Sequence, residues 1–497
     1  MITFLLVFSG LIVCIVYLIG IYNEYYWKRR NVAFYKKHKV TSVLWDFVFK
    51  KKAVYLNLWE VYKEYRKEPA VGIGTFITPS LYVIDPTNVQ HVLSTDFSSF
   101  NHRGLDVHKD DLLADNILFM NGNRWKLTRQ HMTPLFTSTK LKSMYYIIDK
   151  SALDFVQHLN ENKQLLKGDT FNTLMSFCSA AIGGAVFGIS TGSIFDSPFL
   201  DMARNAFKAT FSSNLSFAVL TLSGNLSNWL GLKFFTQHEK FFIGAIKQIL
   251  RAREKENVKR HDFADLCVAI QKAGKMVDKE TGLEMTPTDE LLAAQAFFFF
   301  AAGVEPTATA LFGTLYELGK DPEYLEKVHK EIDEAFEKND KMNFDIIMGM
   351  KHLDMAFSEA MRLHPPIGFL TRQCIRDSVL PVGNIKVDKG SKIFTPIYEI
   401  HHDPKYYPEP EKFIPERFAP ENKHKIADIT YMPFGKGNRI CVGLRYASLQ
   451  SKAGLVHLLR NFTVRSIIHE GGPKYKAQAV QVRPYNVDVE FIPRNVA

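Results

Sequence analysis

The most informative segment of this 497-residue chain reads Phe434-Gly-Lys-Gly-Asn-Arg-Ile-Cys-Val-Gly443. It surrounds Cys441 with glycines, a phenylalanine and Arg439. Glycines allow a backbone to approach a flat ligand closely, and an arginine can pair with a carboxylate of that ligand. A thiolate is an electron-rich axial donor to haem iron that favours cleavage of the O–O bond. The segment therefore predicts a haem site with Cys441 as the metal ligand.

The segment resembles the haem-binding loop of the cytochrome P-450 family, whose pattern is F-x-x-G-x-R-x-C-x-G. An inert, buried thiol is the usual interpretation of an isolated cysteine, and the surrounding pattern argues against it. The resemblance covers nearly the whole chain and is strongest to insect microsomal members related to detoxification enzymes. It implies haem b, monooxygenase activity, and a mainly α fold with a minor β region: one large haem-binding domain behind an N-terminal transmembrane helix.

Helical patterns dominate residues 86–365, and short strand-like runs occur near 370–397 and 475–492. Residues 71–77 and 80–85 are typical of paired strands around Pro79. The longest helix is predicted to begin at Thr286, a hydroxyl N-cap followed by a proline, and to end near Gly319. This helix is apolar nearly all round and should be buried. In the family the corresponding helix crosses the distal face of the haem.

The number of cysteines and the distribution of charge indicate which kinds of site and which binding partner the sequence favours. The five cysteines are odd in number and widely spaced, so neither a disulfide framework nor a zinc site is predicted. Residues 1–67 contain twelve Lys or Arg and four Asp or Glu, so this part carries most of the net charge of +10. Basic residues beside an apolar stretch favour an anionic membrane surface. Nucleic acid is a weaker candidate, because no nucleic-acid motif accompanies them.

The N-terminus is predicted to be a retained membrane anchor, because residues 2–22 are almost wholly apolar and about twenty such residues span a bilayer. An interfacial belt of Tyr22, Tyr25, Tyr26 and Trp27 follows, and the basic residues after it place the rest in the cytosol. A cleaved signal peptide would need a basic n-region and a small-residue cleavage site, which are absent. We therefore divide the chain into an anchor, 1–27, and a haem-thiolate domain, 28–497. The resemblance implies the endoplasmic reticulum membrane.

One departure from the family concerns the segment after the anchor. Many anchored members have a proline-rich hinge there, whereas this chain has no proline before Pro69. The sequence therefore leaves the orientation of the domain on the membrane open.

By family position, aromatic and basic residues around Cys441 contact the haem. Phe434 should pack beside the sulfur, and Gly443 lies where a helix begins, whose N–H groups stabilise a thiolate. Trp125 and three arginines, Arg129, Arg372 and Arg439, are candidates for contact with the haem. Arg124 is a weaker candidate. Any one of these arginines taken alone is more typical of a solvated surface charge.

Glu359 and Arg362 are three residues apart in a helical pattern and are therefore neighbours. Surface pairs of this kind contribute little to stability. Here, however, the flanking sequence is apolar, and Pro415-Glu-Arg-Phe418 supplies a further arginine, Arg417. In the family these three residues form a buried network that fixes the cysteine loop, which is a structural role.

The long helix contains Ala302-Gly-Val-Glu-Pro-Thr307, where the family pattern is A-G-x-[DE]-T-[TS]. Gly303 is expected to let the backbone approach the iron, and Glu305 is the candidate for proton delivery to dioxygen. The usual threonine position holds Pro306, which has no N–H and so deprives the Ala302 carbonyl of its helical hydrogen-bond donor. The freed carbonyl is a site where a water can bind. Thr307 supplies a hydroxyl one position late, for a water chain or for a bond to the Gly303 carbonyl.

The resemblance also implies a substrate class and partners. Residues 116–120, 206–222, 297–301 and 367–370 would wall an apolar pocket for lipophilic small molecules. Since the chain has no flavin or dinucleotide fingerprint, electrons must come from another protein. NADPH–cytochrome P-450 reductase is the implied donor, with cytochrome b5 as a second one. Four basic residues are expected to form its docking face: Lys126, Lys436, Arg445 and Lys452.

Two other functions stay open at the level of sequence. Pro306 at the threonine position is compatible with a haem-thiolate isomerase or dehydratase that acts on peroxides and needs no reductase. A non-catalytic carrier of haem or of lipophiles is the third interpretation. Dependence of turnover on NADPH and reductase distinguishes the first two.

Overall fold

Helices make up most of the computed structural model, which describes residues 2–188, 195, 198–206, 210–222, 228–256, 259–477 and 481–495. The α-helices are α1 (Ile2–Lys28), α2 (Trp45–Val48), α3 (Val54–Tyr65), α4 (Pro86–Gln90), α5 (Gly122–Met132), α6 (Ser138–Glu161), α7 (Thr170–Phe187), α8 (Pro198–Ala206), α9 (Phe211–Leu222), α10 (Thr236–Lys255), α11 (Phe263–Ala273), α12 (Asp289–Leu318), α13 (Pro322–Lys338), α14 (Phe344–Gly349), α15 (Lys351–Leu363), α16 (Tyr398–His401) and α17 (Leu444–Asn461). The prediction of a mainly α fold is confirmed.

The minor β region is built around a five-stranded sheet with the order β1-β2-β3-β9-β6. The strands are β1 (Ala33–Phe34), β2 (Ala70–Thr75), β3 (Thr78–Val83), β4 (Met276–Val277), β5 (Glu284–Met285), β6 (Phe369–Gln373), β7 (Ser378–Leu380), β8 (Ile385–Val387), β9 (Lys392–Pro396), β10 (Phe462–Ile468), β11 (Lys474–Tyr475), β12 (Pro484–Tyr485) and β13 (Val487–Pro493). The predicted strand pair around Pro79 is confirmed, since Gly74 lies opposite Pro79 in the antiparallel β2–β3 pair. A separate antiparallel pair joins β10 to β13.

Helix α12 crosses the helical core and packs against α7, α10 and α15. Its 30 residues extend about 45 Å. The predicted start at Thr286 is wrong by two residues: Thr288 is the N-cap, because its hydroxyl accepts a hydrogen bond from the Leu291 amide at 3.2 Å. Pro306 lies inside the helix, which continues to Leu318. The helix therefore carries the 302–307 segment through the interior, as predicted.

Three of the described helices are long and apolar enough to cross a membrane: α1, α7 and α12. The last two are enclosed by protein, whereas the apolar side chains of α1 are mostly exposed. An exposed N-terminal helix is consistent with the predicted anchor. The predicted interfacial belt is wrong for Tyr26 and Trp27, which are 5% and 0% exposed, because they pack on the sheet instead of facing outward.

Candidate functional site

A glycine-rich turn presents Cys441 just before α17. The Cys441 amide donates a hydrogen bond to the Phe434 carbonyl at 3.0 Å, which closes the turn. Gly437 has a φ of +72°, and a Cβ added there would collide with the backbone of Leu93. The neighbouring helical turn His91–Thr95 thus requires this glycine, whereas the sequence had assigned it to the approach of a flat ligand.

Burial and neighbouring cations act in opposite directions on the Cys441 thiol. Burial raises its pKa, whereas the Gly443 N–H and the guanidinium groups of Arg129 and Arg103 lower it. Gly443 is the N-cap of α17, so a helix does begin beside the sulfur. Cys441 also lines a cavity, which argues against an inert thiol packed in the core.

A cavity lies between the Cys441 turn and α12, and its empty space, counted with the open mouth, is about 1270 Å³. Phe434 and Gly443 line it beside Cys441, and Gly303 and Thr307 line it from α12. The other walls are mainly apolar: Ile182, Phe298, Phe299, Met361, Ile367 and Leu370. Ile117 and Leu118 also line it, so residues from three of the four predicted wall segments, 116–120, 297–301 and 367–370, reach this cavity. In the segment 206–222, positions 207–209 lie outside the described residues, and none of the described positions lines the cavity.

Arg103, Arg129 and Arg439 line the cavity, and the fully buried Arg372 lies close enough to Arg103 and Arg439 to interact with them electrostatically, so four arginines form one cluster. Burial and mutual repulsion lower the pKa of Arg103 to about 10, of Arg372 to about 9 and of Arg439 to about 8. No carboxylate in the described part of the chain forms an ion pair with any of the four. A cluster of cations without a counter-ion fits an anionic ligand.

Arg439 and Trp125, beside the same cavity, each have a buried hydrogen-bond donor without an acceptor among the described residues. The guanidinium of Arg439 lies 4.3 Å from the centre of the Trp125 ring and donates to the Asn101 and Met120 carbonyls at 2.8 and 2.9 Å. One Arg439 nitrogen and the indole Nε1 of Trp125 are buried without an acceptor among the described residues. An apolar chamber with a thiol at one end and free donors at its edge fits haem, a flat apolar ring that carries two carboxylates.

Arg103 was not predicted as a site residue, because no motif in the sequence contains it. Its neighbour His102 bridges to Gln373, next to Arg372 at the end of β6, and this pairing brings the two arginines together. The Gln373 amide donates to the His102 carbonyl at 2.9 Å. The basic character of residue 103 was visible in the sequence, but its position at the cavity depends on this distant strand.

The predicted network around Glu359 is present: Glu359 and Arg362 are fully buried, and the side chain of Arg417 is 12% exposed. Arg362 donates from Nε and Nη2 to the two Glu359 oxygens at 2.8 and 2.9 Å, and Arg417 donates to the same carboxylate at 3.3 Å. Arg362 also donates to the His401 carbonyl at 2.6 Å, while the His401 ring accepts from the Met432 amide at 3.0 Å. The network therefore connects α15 to the segment that leads into the Cys441 turn.

Glu305 and Thr307 have different surroundings although they are two residues apart. Thr307 lines the cavity, whereas the described cavity wall does not include Glu305. The Glu305 carboxylate lies 3.4 Å from the Arg483 guanidinium, near the C-terminal strands. Burial raises the pKa of Glu305, and Arg483 and Lys476 lower it. Glu305, the acid predicted for proton delivery, therefore lies on a different face of α12 from the residues that line the cavity.

Gly303 lines the cavity, but a second neighbour also requires it. A Cβ added at Gly303 would lie 2.9 Å from Cγ1 of Ile182 in α7. The glycine therefore allows close packing of α7 on α12, in addition to any approach of the backbone to the iron.

Two predictions about basic side chains are wrong: Arg124 as a haem contact and Lys452 as part of the docking face. Arg124 is exposed and donates to Asp115 at 3.1 Å, so it does not belong to the cationic cluster. Lys452 is only 2% exposed, because its stem is buried and its ammonium reaches Asp354 at 2.6 Å, which removes it from the docking face. Arg445 is exposed as predicted. The other two candidates are paired with acidic residues: Lys126 with Glu280, and Lys436 with Asp428.

Residues 39–491 match the model of the family described as Cytochrome P450. Cytochrome P450 6k1 of Blattella germanica is 32% identical over 458 residues, which are 88% of this chain and 87% of that protein. The chain belongs to the cytochrome P450 family. Probable cytochrome P450 6a18 of Drosophila melanogaster is 33% identical over 451 residues, 88% of each chain. Cytochrome P450 6B2 of Helicoverpa armigera is 31% identical over 466 residues, 93% of this chain and 91% of that protein.

Membership of the cytochrome P450 family confirms the resemblance and the cofactor. Proteins of this family are haem-thiolate monooxygenases, and they bind haem b through a cysteine thiolate. The relatives are insect cytochromes P450, as the sequence had indicated. The cavity, the cationic cluster and Cys441 together are the candidate site for haem and substrate.

Proposed function

We propose that the haem of this cytochrome P450 would bind in the cavity between Cys441 and α12, where the Cys441 thiolate would hold its iron. One observation carries the proposal: an apolar chamber has a thiol at one end and a cluster of arginines without counter-ions beside it. Arg103, Arg129, Arg372 and Arg439 would hold the haem carboxylates, and the Trp125 Nε1–H is free to donate to them. Phe434, which lines the cavity beside Cys441, would limit the access of water to the sulfur once haem is bound.

The substrates we propose are lipophilic small molecules. When bound, haem supplies the activation of dioxygen, so that one oxygen atom enters the substrate and the other leaves as water. The phenyl rings of Phe298 and Phe299 and the side chain of Leu370 exclude water from the chamber and bind apolar surface. They select for size and shape more than for one chemical group.

Proton delivery would depend on the unusual turn of α12. Pro306 has no N–H, so the Ala302 carbonyl lacks its helical donor, and both residues line the cavity. This carbonyl and the Thr307 hydroxyl are placed to hold a water at the cavity wall. Glu305, held by Arg483 on another face of the same turn, would supply protons to that water from the side of the C-terminal strands.

The same proline favours a second candidate function. A haem-thiolate isomerase or dehydratase needs no proton relay to dioxygen and no external electrons, and Pro306 occupies the position where the relay threonine is expected. Turnover of hydroperoxides in the absence of NADPH and reductase would favour this function over the monooxygenase.

We further propose that α1 anchors the enzyme in the endoplasmic reticulum membrane with the catalytic domain in the cytosol. The exposed apolar surface of α1 and the basic residues after it support this orientation. NADPH–cytochrome P-450 reductase, with cytochrome b5 as a second donor, would supply the electrons. Arg445, next to the Cys441 turn, and the partly exposed Lys126 and Lys436 form the proposed docking face.

Absorption spectroscopy tests the haem assignment directly. The reduced, carbon monoxide-bound protein should show the band of a thiolate-ligated haem, and Cys441→Ser should abolish that band. Cys374→Ser, which removes a buried cysteine elsewhere, is the matched control and should keep it. An unchanged band in Cys441→Ser would refute the assignment. Product formation that requires NADPH and reductase then tests the monooxygenase.

A further inference from the structure

The C-terminal end of α1, the proposed anchor helix, packs against the sheet. Trp27 in α1 is 0% exposed, and a Cβ added at Gly72 of β2 would collide with its indole ring. Gly74, two residues further along β2, leaves room in the same way for the backbone carbonyl of Lys39. Neither glycine has a positive φ, so their lack of a side chain serves the close approach of the N-terminal segment.

Polar contacts fix the preceding turn of α1. Asn23 is 2% exposed, and its side-chain amide donates to the carbonyls of Lys39 at 3.1 Å and Phe76 at 2.8 Å. Glu24 forms ion pairs with Lys28 and Lys39. Asn23 therefore connects α1 both to the segment that follows it and to the β2–β3 turn.

A third contact comes from a distant part of the chain. The Tyr26 hydroxyl donates to the Asp388 carboxylate at 2.6 Å, and Arg30 forms an ion pair with the same carboxylate. Asp388 lies between β8 and β9. The end of α1 is thus held by groups on three sides, whereas a flexible tether would need none of them.

The membrane span adjoins these contacts, and Gly20 in its last turn is already buried against Lys39 and Val40. Residues 2–22 carry no charged side chain and extend about 32 Å at 1.5 Å per residue, close to the bilayer core of about 30 Å. Asn23, the next residue, already contacts the sheet. No spacer separates the span from the domain, so the β2–β3 turn, where Ile77 is 56% exposed, lies beside the point at which α1 leaves the membrane.

We propose that Asn23, Glu24, Tyr26, Trp27 and Arg30 of α1 form, with Lys39, Gly72, Gly74 and Asp388, a rigid junction that fixes the tilt and height of the catalytic domain on the membrane. The inference depends on the membrane anchoring proposed above. The junction replaces the proline-rich hinge that the sequence lacks. For the domain to swivel about α1, the Trp27 ring, the Asn23 amide and the Asp388 pair would all have to be released together. The β2–β3 turn is thereby held at the lipid surface.

Pulsed electron paramagnetic resonance tests the junction in the full-length, haem-loaded protein in phospholipid nanodiscs. Nitroxides at Leu18→Cys in α1 and Val379→Cys in the domain, in a Cys14→Ser background, report the distance between helix and domain. The parent should give one narrow distribution, and the double variant Asn23→Ala with Trp27→Ala should broaden it at least two-fold. Tyr25→Ala is the matched control, because this aromatic residue of the same helix turn is 63% exposed.

A second variant avoids any damage to the packed residues. Insertion of Gly-Ser-Gly-Ser between Tyr22 and Asn23 leaves every sheet contact in place but interrupts the helix at the membrane surface. It should broaden the distribution without changing the melting temperature of the domain. A broad distribution in the parent, or unchanged widths in both variants, would overturn the rigid junction. Failure of the parent to assemble with nanodiscs would instead refute the membrane anchoring.

Discussion

Glu399 is a buried acid without an ion-pair partner in the described part of the chain, and the nearby Tyr82 hydroxyl and backbone amides lower its pKa less than burial raises it. It is 0% exposed in α16, and neither carboxylate oxygen has a hydrogen-bond partner among the described residues. Burial raises its pKa from 4.5 to about 8. We predict that Glu399→Gln, which substitutes a neutral amide of the same shape, stabilises the protein at neutral and alkaline pH.

The size of the effect follows from proton binding. Between pH 4.5 and 8 the folded protein holds a proton that the unfolded chain has released, so the stability of the parent falls as the pH rises through this window. Each pH unit changes the free energy of unfolding by about 1.4 kcal/mol, which gives about 3 kcal/mol at pH 7. With an unfolding entropy of about 1 kcal/mol/K for a chain of this length, the melting temperature rises by about 3 °C.

Scanning calorimetry of the haem-loaded protein at pH 5, 7 and 8.5 measures this difference. The variant and the parent should melt almost together at pH 5, and the variant should melt increasingly later at the two higher values. Glu411→Gln is the matched control, because Glu411 is exposed and its neutralisation should give no such trend. A Glu399→Gln protein that melts at or below the parent at pH 8.5 would refute the reasoning.

Three further predictions concern the haem site. Arg362→Ala leaves the buried Glu359 carboxylate without its bidentate partner and should lower the free energy of unfolding by about 3–5 kcal/mol, measured in denaturant; an effect below 1 kcal/mol would contradict a buried network. Arg439→Gln should speed transfer of haem to an apo-globin acceptor by roughly ten-fold, whereas the exposed Arg124→Gln should not. Pro306→Thr should restore the helical donor to the Ala302 carbonyl and lower the ratio of peroxide to product; an unchanged ratio would show that this turn does not limit proton delivery.

The haem loop and the Glu359 network could be predicted because short-range spacing determines them. Glu359 and Arg362 share a helix face wherever the helix lies, and the loop pattern names Arg439 and Cys441 directly. Arg103 could not be predicted, because its place at the cavity depends on the bridge from His102 to Gln373, which joins segments far apart in the sequence. The Arg483 partner of Glu305 comes from an equally distant segment.

The errors have a common physical origin. Trp27 after an apolar helix is typical of a membrane interface, yet Gly72 gives its ring a slot on the sheet that hydropathy does not reveal. Lys452 was assigned to the surface by its charge, but its long apolar stem is buried while its ammonium reaches Asp354. Thr286 and Thr288 flank one proline, and only the backbone shows which hydroxyl caps α12.

The four arginines beside the cavity have a consequence for biosynthesis. Until two carboxylates arrive, their guanidinium groups repel one another within a chamber that contains no opposite charge from the described residues. A newly made polypeptide would then finish maturing only together with its prosthetic group, and any surplus would stay open to proteases. Porphyrin supply in the cell would limit how much of the enzyme accumulates.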